Sequence, residues 1–156
     1  MKYIISLITF FSLSSFAATT GTLLLEGTVL DTTSIVIQPE VSAHRALDIV
    51  GGETNRLVGN AIESSNHLAG YTVTAKSANG GLLVHTMSPT VSTAYTMSYD
   101  GAAAVSLTTV DVLVKDVTSL SGLSTVMSAI RVNVTAFPTA PQGVYQDTIT
   151  FTIQAR

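Results

Sequence analysis

Tyr145-Gln-Asp-Thr-Ile-Thr-Phe-Thr-Ile-Gln-Ala-Arg156 decides the fold. From Thr148 onward, apolar and hydroxyl side chains alternate: Ile149, Phe151 and Ile153 share one face of an extended chain, and Thr148, Thr150 and Thr152 share the other. A period of two with one apolar row marks a strand buried on one side only. Tyr145 lies on the apolar parity too. Asp147 interrupts that row and is expected at the strand's entrance, where its carboxylate stays wet or caps a turn.

The same alternation recurs upstream. Between Met127 and Ala136, Ile130, Val132 and Val134 face one way and Arg131, Asn133 and Thr135 the other, before Pro138 and Pro141 break the chain. Val110 to Lys115 reads as a strand and Ser119 to Ser124 as a loop. Tyr71–Ala75 and Leu82–Thr86 flank Ser77-Ala-Asn-Gly-Gly81, which predicts a tight hairpin through Asn79-Gly80. Asp100-Gly101 predicts a second one, joining Ala94–Tyr99 to Ala102–Leu107. Residues 38–67 are weakly patterned, with Ala46–Val50 expected as a short strand and Gly51–Asn55 as a loop. No segment carries a helical stripe. Short strands separated by turn signals define an all-β chain folded as an antiparallel β-sandwich.

A second alternating apolar stretch stands near the beginning: Gly21-Thr-Leu-Leu-Leu-Glu-Gly-Thr-Val-Leu30. Leu23, Leu25, Gly27 and Val29 share one face, and Leu24, Glu26, Thr28 and Leu30 share the other. A glycine inside an apolar row weakens a strand and marks close approach of another backbone or a bulky side chain. Ahead of this stretch, Met1-Lys2, the apolar run Tyr3–Leu13 and Ser15-Phe-Ala17 have the form of a signal peptide cleaved after Ala17. The expected mature chain, residues 18–156, is a single domain with 18–30 as its candidate first or donor strand.

Composition narrows the function classes. The formal net charge is −3, only 11% of residues are charged, and no run of like charge occurs. This excludes an electrostatic partner such as nucleic acid or an anionic membrane surface. Cysteine is absent although an exported chain meets conditions that permit disulfides. No stretch after Ala17 is long and apolar enough to be expected as a membrane span. His44, His67 and His85 lack the close spacing that puts two metal ligands on one face, and neither a Gly-x-Ser-x-Gly elbow nor a phosphate-binding glycine loop occurs. Asp111 and Asp116 flank a strand, and Glu53 and Glu63 lie in the weakly patterned region, so nothing local pairs two acids for hydrolysis. No catalytic, cofactor or metal residue is expected.

Gln142-Gly-Val-Tyr-Gln-Asp-Thr-Ile-Thr-Phe-Thr-Ile153 resembles the C-terminal strand of spore-coat-U-like proteins and of the related archaic chaperone–usher fimbrial subunits. Thr20-Gly-Thr-Leu-Leu-Leu-Glu-Gly-Thr-Val29 is similar to the extension and first strand of type 1 fimbrial subunits. The resemblance covers about the first and last fifteen residues of the expected mature chain, and Thr33-Ser-Ile35 stands where such pilins carry the first cysteine of a disulfide. It implies an immunoglobulin-like sandwich lacking one strand. A periplasmic chaperone, and then the next subunit's Leu23, Leu25, Gly27 and Val29, would fill the groove beside Tyr145, Ile149, Phe151 and Ile153. The implied function is a structural subunit of a bacterial surface fibre or coat, with copies of itself or related subunits, a chaperone and an usher as partners. Without the resemblance, the same residues also fit a self-contained secreted binding module with residues 21–30 paired inside their own domain.

Overall fold

The computed structural model describes residues 19–156; the signal peptide expected over 1–17 lies outside them. Among the described residues nine strands occur: β1 (Thr33–Pro39), β2 (Glu53–Ser65), β3 (Tyr71–Ser77), β4 (Leu82–His85), β5 (Ser92–Tyr99), β6 (Val112–Val117), β7 (Ser124–Val134), β8 (Tyr145–Gln146) and β9 (Ile149–Ala155). They build two antiparallel sheets, ordered β1-β2-β7-β5-β4-β8 and β6-β3-β9. The expected all-β antiparallel sandwich is therefore the observed fold. The run β1-β2-β7-β5 has the A-B-E-D order of one immunoglobulin sheet, and β3-β9 has the C-F order of the other. Among the described residues, no strand takes the G position beside β9.

Alternation explains which residues meet between the sheets. Ile130, Val132 and Val134 of β7 are buried as expected, facing Tyr71, Val73 and Ala75 of β3, with Tyr95, Met97 and Tyr99 of β5 closing the same core. On β9, Ile149, Phe151 and Ile153 point inward but stay only half-buried.

Several local expectations change in the structure. The chain does turn at Ser77–Gly81, with Gly80 and Gly81 at positive φ, yet β3 and β4 do not pair. β3 bonds β9 as far as Ser77↔Ile149, and the turn then carries the chain into the other sheet, where Leu82 pairs Ala94. The turn chemistry is that of a hairpin, but layer packing uses it for a crossover. At Asp100-Gly101 both residues have positive φ, as a hairpin turn needs, and Met97 and Val105 exchange backbone hydrogen bonds; the returning arm forms only that bridge. Ala46–Val50 is not a strand: a 3-10 turn over Ala43–Arg45 precedes it, and Leu47 and Ile49 plug the core edge from irregular chain. The thirteen-residue strand β2 crosses the region of weakest sequence pattern. Its inward row is Gly59, Ala61, Glu63 and Ser65, small or polar rather than apolar.

Candidate functional site

β1 and β9 are edge strands of different sheets, and they run side by side without a ladder between them. Their Cα atoms come within 8 Å over part of their length. A strand seated between them needs about 9.5 Å, two ladder spacings, so it would have to part the edges there. Around Ile37 and Pro39 of β1 and Ile149 and Phe151 of β9 the seam opens into a cavity of about 250 Å³. Val58, Tyr95, Ile130 and Val132 are among its lining residues. A larger hollow of about 620 Å³ shares Leu47, Leu83 and Asp147 with it and reaches Tyr145. Two unpaired backbone edges above apolar sockets are what an added strand requires: the edges supply main-chain hydrogen bonds and the sockets take alternate side chains. Among the described residues, no group of three His, Asp or Glu side chains is placed to hold a metal ion.

The structure brings the predicted C-terminal residues together at this seam. Ile149 and Phe151 line it, Ile153 continues their row, and Tyr145 stands at the outer hollow. The Tyr145 ring meets His85 edge-on at 5.1 Å, and its hydroxyl donates to the Pro141 carbonyl at 3.1 Å. Leu23, Leu25, Gly27 and Val29 lie elsewhere. Residues 19–32 form no strand, Leu23, Leu25 and Val29 are 84%, 83% and 86% exposed, and nothing lies within 4 Å of a Cβ placed on Gly27. The sandwich begins instead with β1, and the apolar row has no partner among the described residues.

The base of this extension is fixed. Asn66, just beyond β2, accepts from the Thr32 N–H through Oδ1 at 2.7 Å and donates through Nδ2 to the Leu30 carbonyl at 2.8 Å. Its own N–H donates to the Thr32 carbonyl at 3.1 Å. The backbone bond extends the β1–β2 pairing one residue past Thr33↔Ser65, and the two side-chain bonds tether Leu30 and Thr32 to the end of β2.

Two carboxylates tie the sheets across the core. Glu63 of β2 is fully buried and accepts from the Tyr71 hydroxyl at 2.6 Å and the Tyr99 hydroxyl at 2.5 Å; the Lys115 ammonium lies 3.0 Å away. Lys115 also reaches Asp100 at 2.8 Å and donates to Ser128 at 2.8 Å. Burial alone pushes the Glu63 carboxyl up, but hydrogen bonds from Tyr71, Tyr99, Ser128 and Lys115 outweigh it and hold it below the ordinary value. For Lys115, burial pushes down and the pairing with Asp100 and Glu63 wins, raising it. Burial, then the bond to Glu63, raises both tyrosines.

At the other end Asp147, where the chain steps from β8 to β9, accepts from Ser77 Oγ at 2.5 Å, Tyr95 Oη at 2.6 Å and the Asn79 N–H at 3.0 Å. It caps the β3–β4 crossover, one of the two roles expected for it, the other being a solvated carboxylate. The sequence pointed to neither the Glu63 cluster nor Asn66. An acid in the inward parity of an otherwise unpatterned stretch was the signal available for Glu63; Asn66 left none. Comparison of the chain with protein-family models and with curated proteins gives no match.

Proposed function

We propose that this chain is a structural subunit of a bacterial surface fibre or coat, exported through a periplasm and assembled when the extension of one copy docks into the β1–β9 seam of the next. The observation that carries it is the pairing of an unfilled apolar seam between two free edges with an unpartnered apolar row of matching period on the same chain. In transit a periplasmic chaperone covers the seam, and an usher delivers the subunit. The activity is assembly and uses no catalytic residue or cofactor.

Polarity supports assembly between copies. A strand seated antiparallel to β9, as β3 is, places its residue 30 at the Ile149 end. The chain's own Thr33 sits at the Ala155 end, because Thr33 pairs Ser65 and Tyr71 pairs Ala155. The seven-residue β1 separates these ends by roughly 20 Å, whereas Leu30 to Thr33 spans about 11 Å at most. In that orientation the row must come from a second molecule, and the contact is head-to-tail, the kind that grows into an open fibre when successive copies do not rotate into a ring.

The test is to purify the mature chain from a periplasm and run it on a denaturing gel with and without boiling. A ladder that collapses to one band only on heating supports strand exchange, since no cysteine can link subunits. A monomer band in both lanes, with monomer mass in native solution, overturns it in favour of a self-contained module.

A further inference from the structure

We infer that Asn66 is a positioning residue that keeps the extension out of its own seam and so directs it to a second copy; this rests on the fibre reading above. The competing state is a fold-back. Reversing at Asp31-Thr32, residues 23–30 could lie antiparallel to their own β1 and parallel to β9, filling the seam from within and ending growth.

In a strand, the N–H and C=O of one residue point to the same side. Thr32 turns both toward Asn66, so Thr33 presents both to the seam. A two-residue turn at Asp31-Thr32 needs the Leu30 carbonyl for the Thr33 N–H. Asn66 Nδ2 holds that carbonyl on the opposite side. Turn chemistry adds to the block, since such a turn favours positive φ at both central residues and the β-branched Thr32 resists it. Asn66 thus ties Leu30 and Thr32 to the end of β2, so the extension leaves from the Ala155 end of the seam without the reversal at Asp31-Thr32 that a fold-back needs.

The experiment compares wild type, Asn66→Ala and Asn66→Asp, all exported as the full chain, on the unboiled gel, followed by limited proteolysis of each monomer fraction with mass analysis. Asn66→Ala removes two side-chain hydrogen bonds and is expected to raise the monomer-to-ladder ratio about tenfold. Its monomers should have residues 19–30 protected from protease, whereas wild-type monomers lose them. Asn66→Asp keeps the acceptor for Thr32 and loses the donor to Leu30, so it should fall between; it also serves if Asn66→Ala does not fold. An unchanged ratio with a normal ladder overturns the role of Asn66 and leaves the fibre reading intact. So does extra monomer whose extension is still cut. Absence of a ladder in wild type overturns both.

Discussion

Leu25→Asp separates folding from assembly. Leu25 is 83% exposed, so the substitution should change the stability of the isolated domain by no more than about 0.5 kcal/mol. In the docked state proposed above, the same side chain would enter an apolar socket. Losing the leucine forfeits about 1.5–3 kcal/mol of burial, and an unpaired carboxylate there costs several kcal/mol more. At 1.4 kcal/mol per factor of ten, docking should weaken on the order of a thousandfold or more. The control is Leu24→Asp: equally exposed at 82%, but on the opposite parity, where it faces outward from a seated strand. On unboiled gels of material recovered from the cell surface, Leu25→Asp should give monomer and Leu24→Asp a normal ladder. An undiminished ladder from Leu25→Asp, or equal loss from both variants, refutes the docking parity assigned to Leu23, Leu25 and Val29.

Gly27→Leu should likewise spare the domain, since nothing lies within 4 Å of that position, and shorten the ladder because a side chain is added where the row needs a gap; a full-length ladder counts against close approach there. Glu63→Ala leaves Lys115 and two tyrosine hydroxyls without their acceptor and should lower the unfolding free energy by about 3–5 kcal/mol in urea titrations; a loss under about 1 kcal/mol would show that the cluster does not tie the sheets. Stability should also fall in acid. Glu63 is held below its ordinary value of 4.5, so its contribution is complete above that pH and fades as pH drops through the lower folded value. Lys115 is raised above 10.5, so its contribution is complete below that pH and fades as pH climbs through the higher folded value. A plot of urea midpoint against pH for wild type and Glu63→Ala should converge at the acid end, and parallel curves would contradict the assignment.

The final strand was legible because β9 is buried on one face alone, and a one-faced strand writes its orientation into every second residue. β7 was legible for the same reason. β2 was not, because its inward row carries Glu63 and Ser65, whose burial depends on Tyr71, Tyr99 and Lys115 arriving from three other strands. β1 places Ile35, Val36 and Ile37 on both parities, so alternation gave no direction. The Ser77–Gly81 turn was recognised while its outcome was not: local φ preferences are the same whether the next strand pairs with the last or joins the opposite sheet. Residues 23–30 alternate less cleanly than β9, because Leu24 and Leu30 put apolar side chains on the second face as well. That pattern says the segment can be a strand, and nothing in it says whose sheet the strand joins.

An unfilled seam poses a mechanical problem that the two carboxylates, buried Glu63 and half-buried Asp147, answer. With the G position beside β9 open among the described residues, apolar attraction alone would favour sliding the sheets together until β1 and β9 closed over Ile149 and Phe151. Burial is non-directional and sets no spacing. Hydrogen bonds do set one. Glu63 joins the β2 sheet to Tyr71 and Lys115 of the other sheet near the Thr33 end, and Asp147 joins Ser77 of β3 to Tyr95 of β5 at the Ile149 end. Each tie has a fixed length and each lies at one end of the sandwich. Apolar replacements of similar volume could match their contribution to stability, but not the spacing they impose. The two ties therefore fix how the sheets sit on each other at both ends, and the docking proposed above would have to part only the β1 and β9 edges over lining side chains that are already largely apolar.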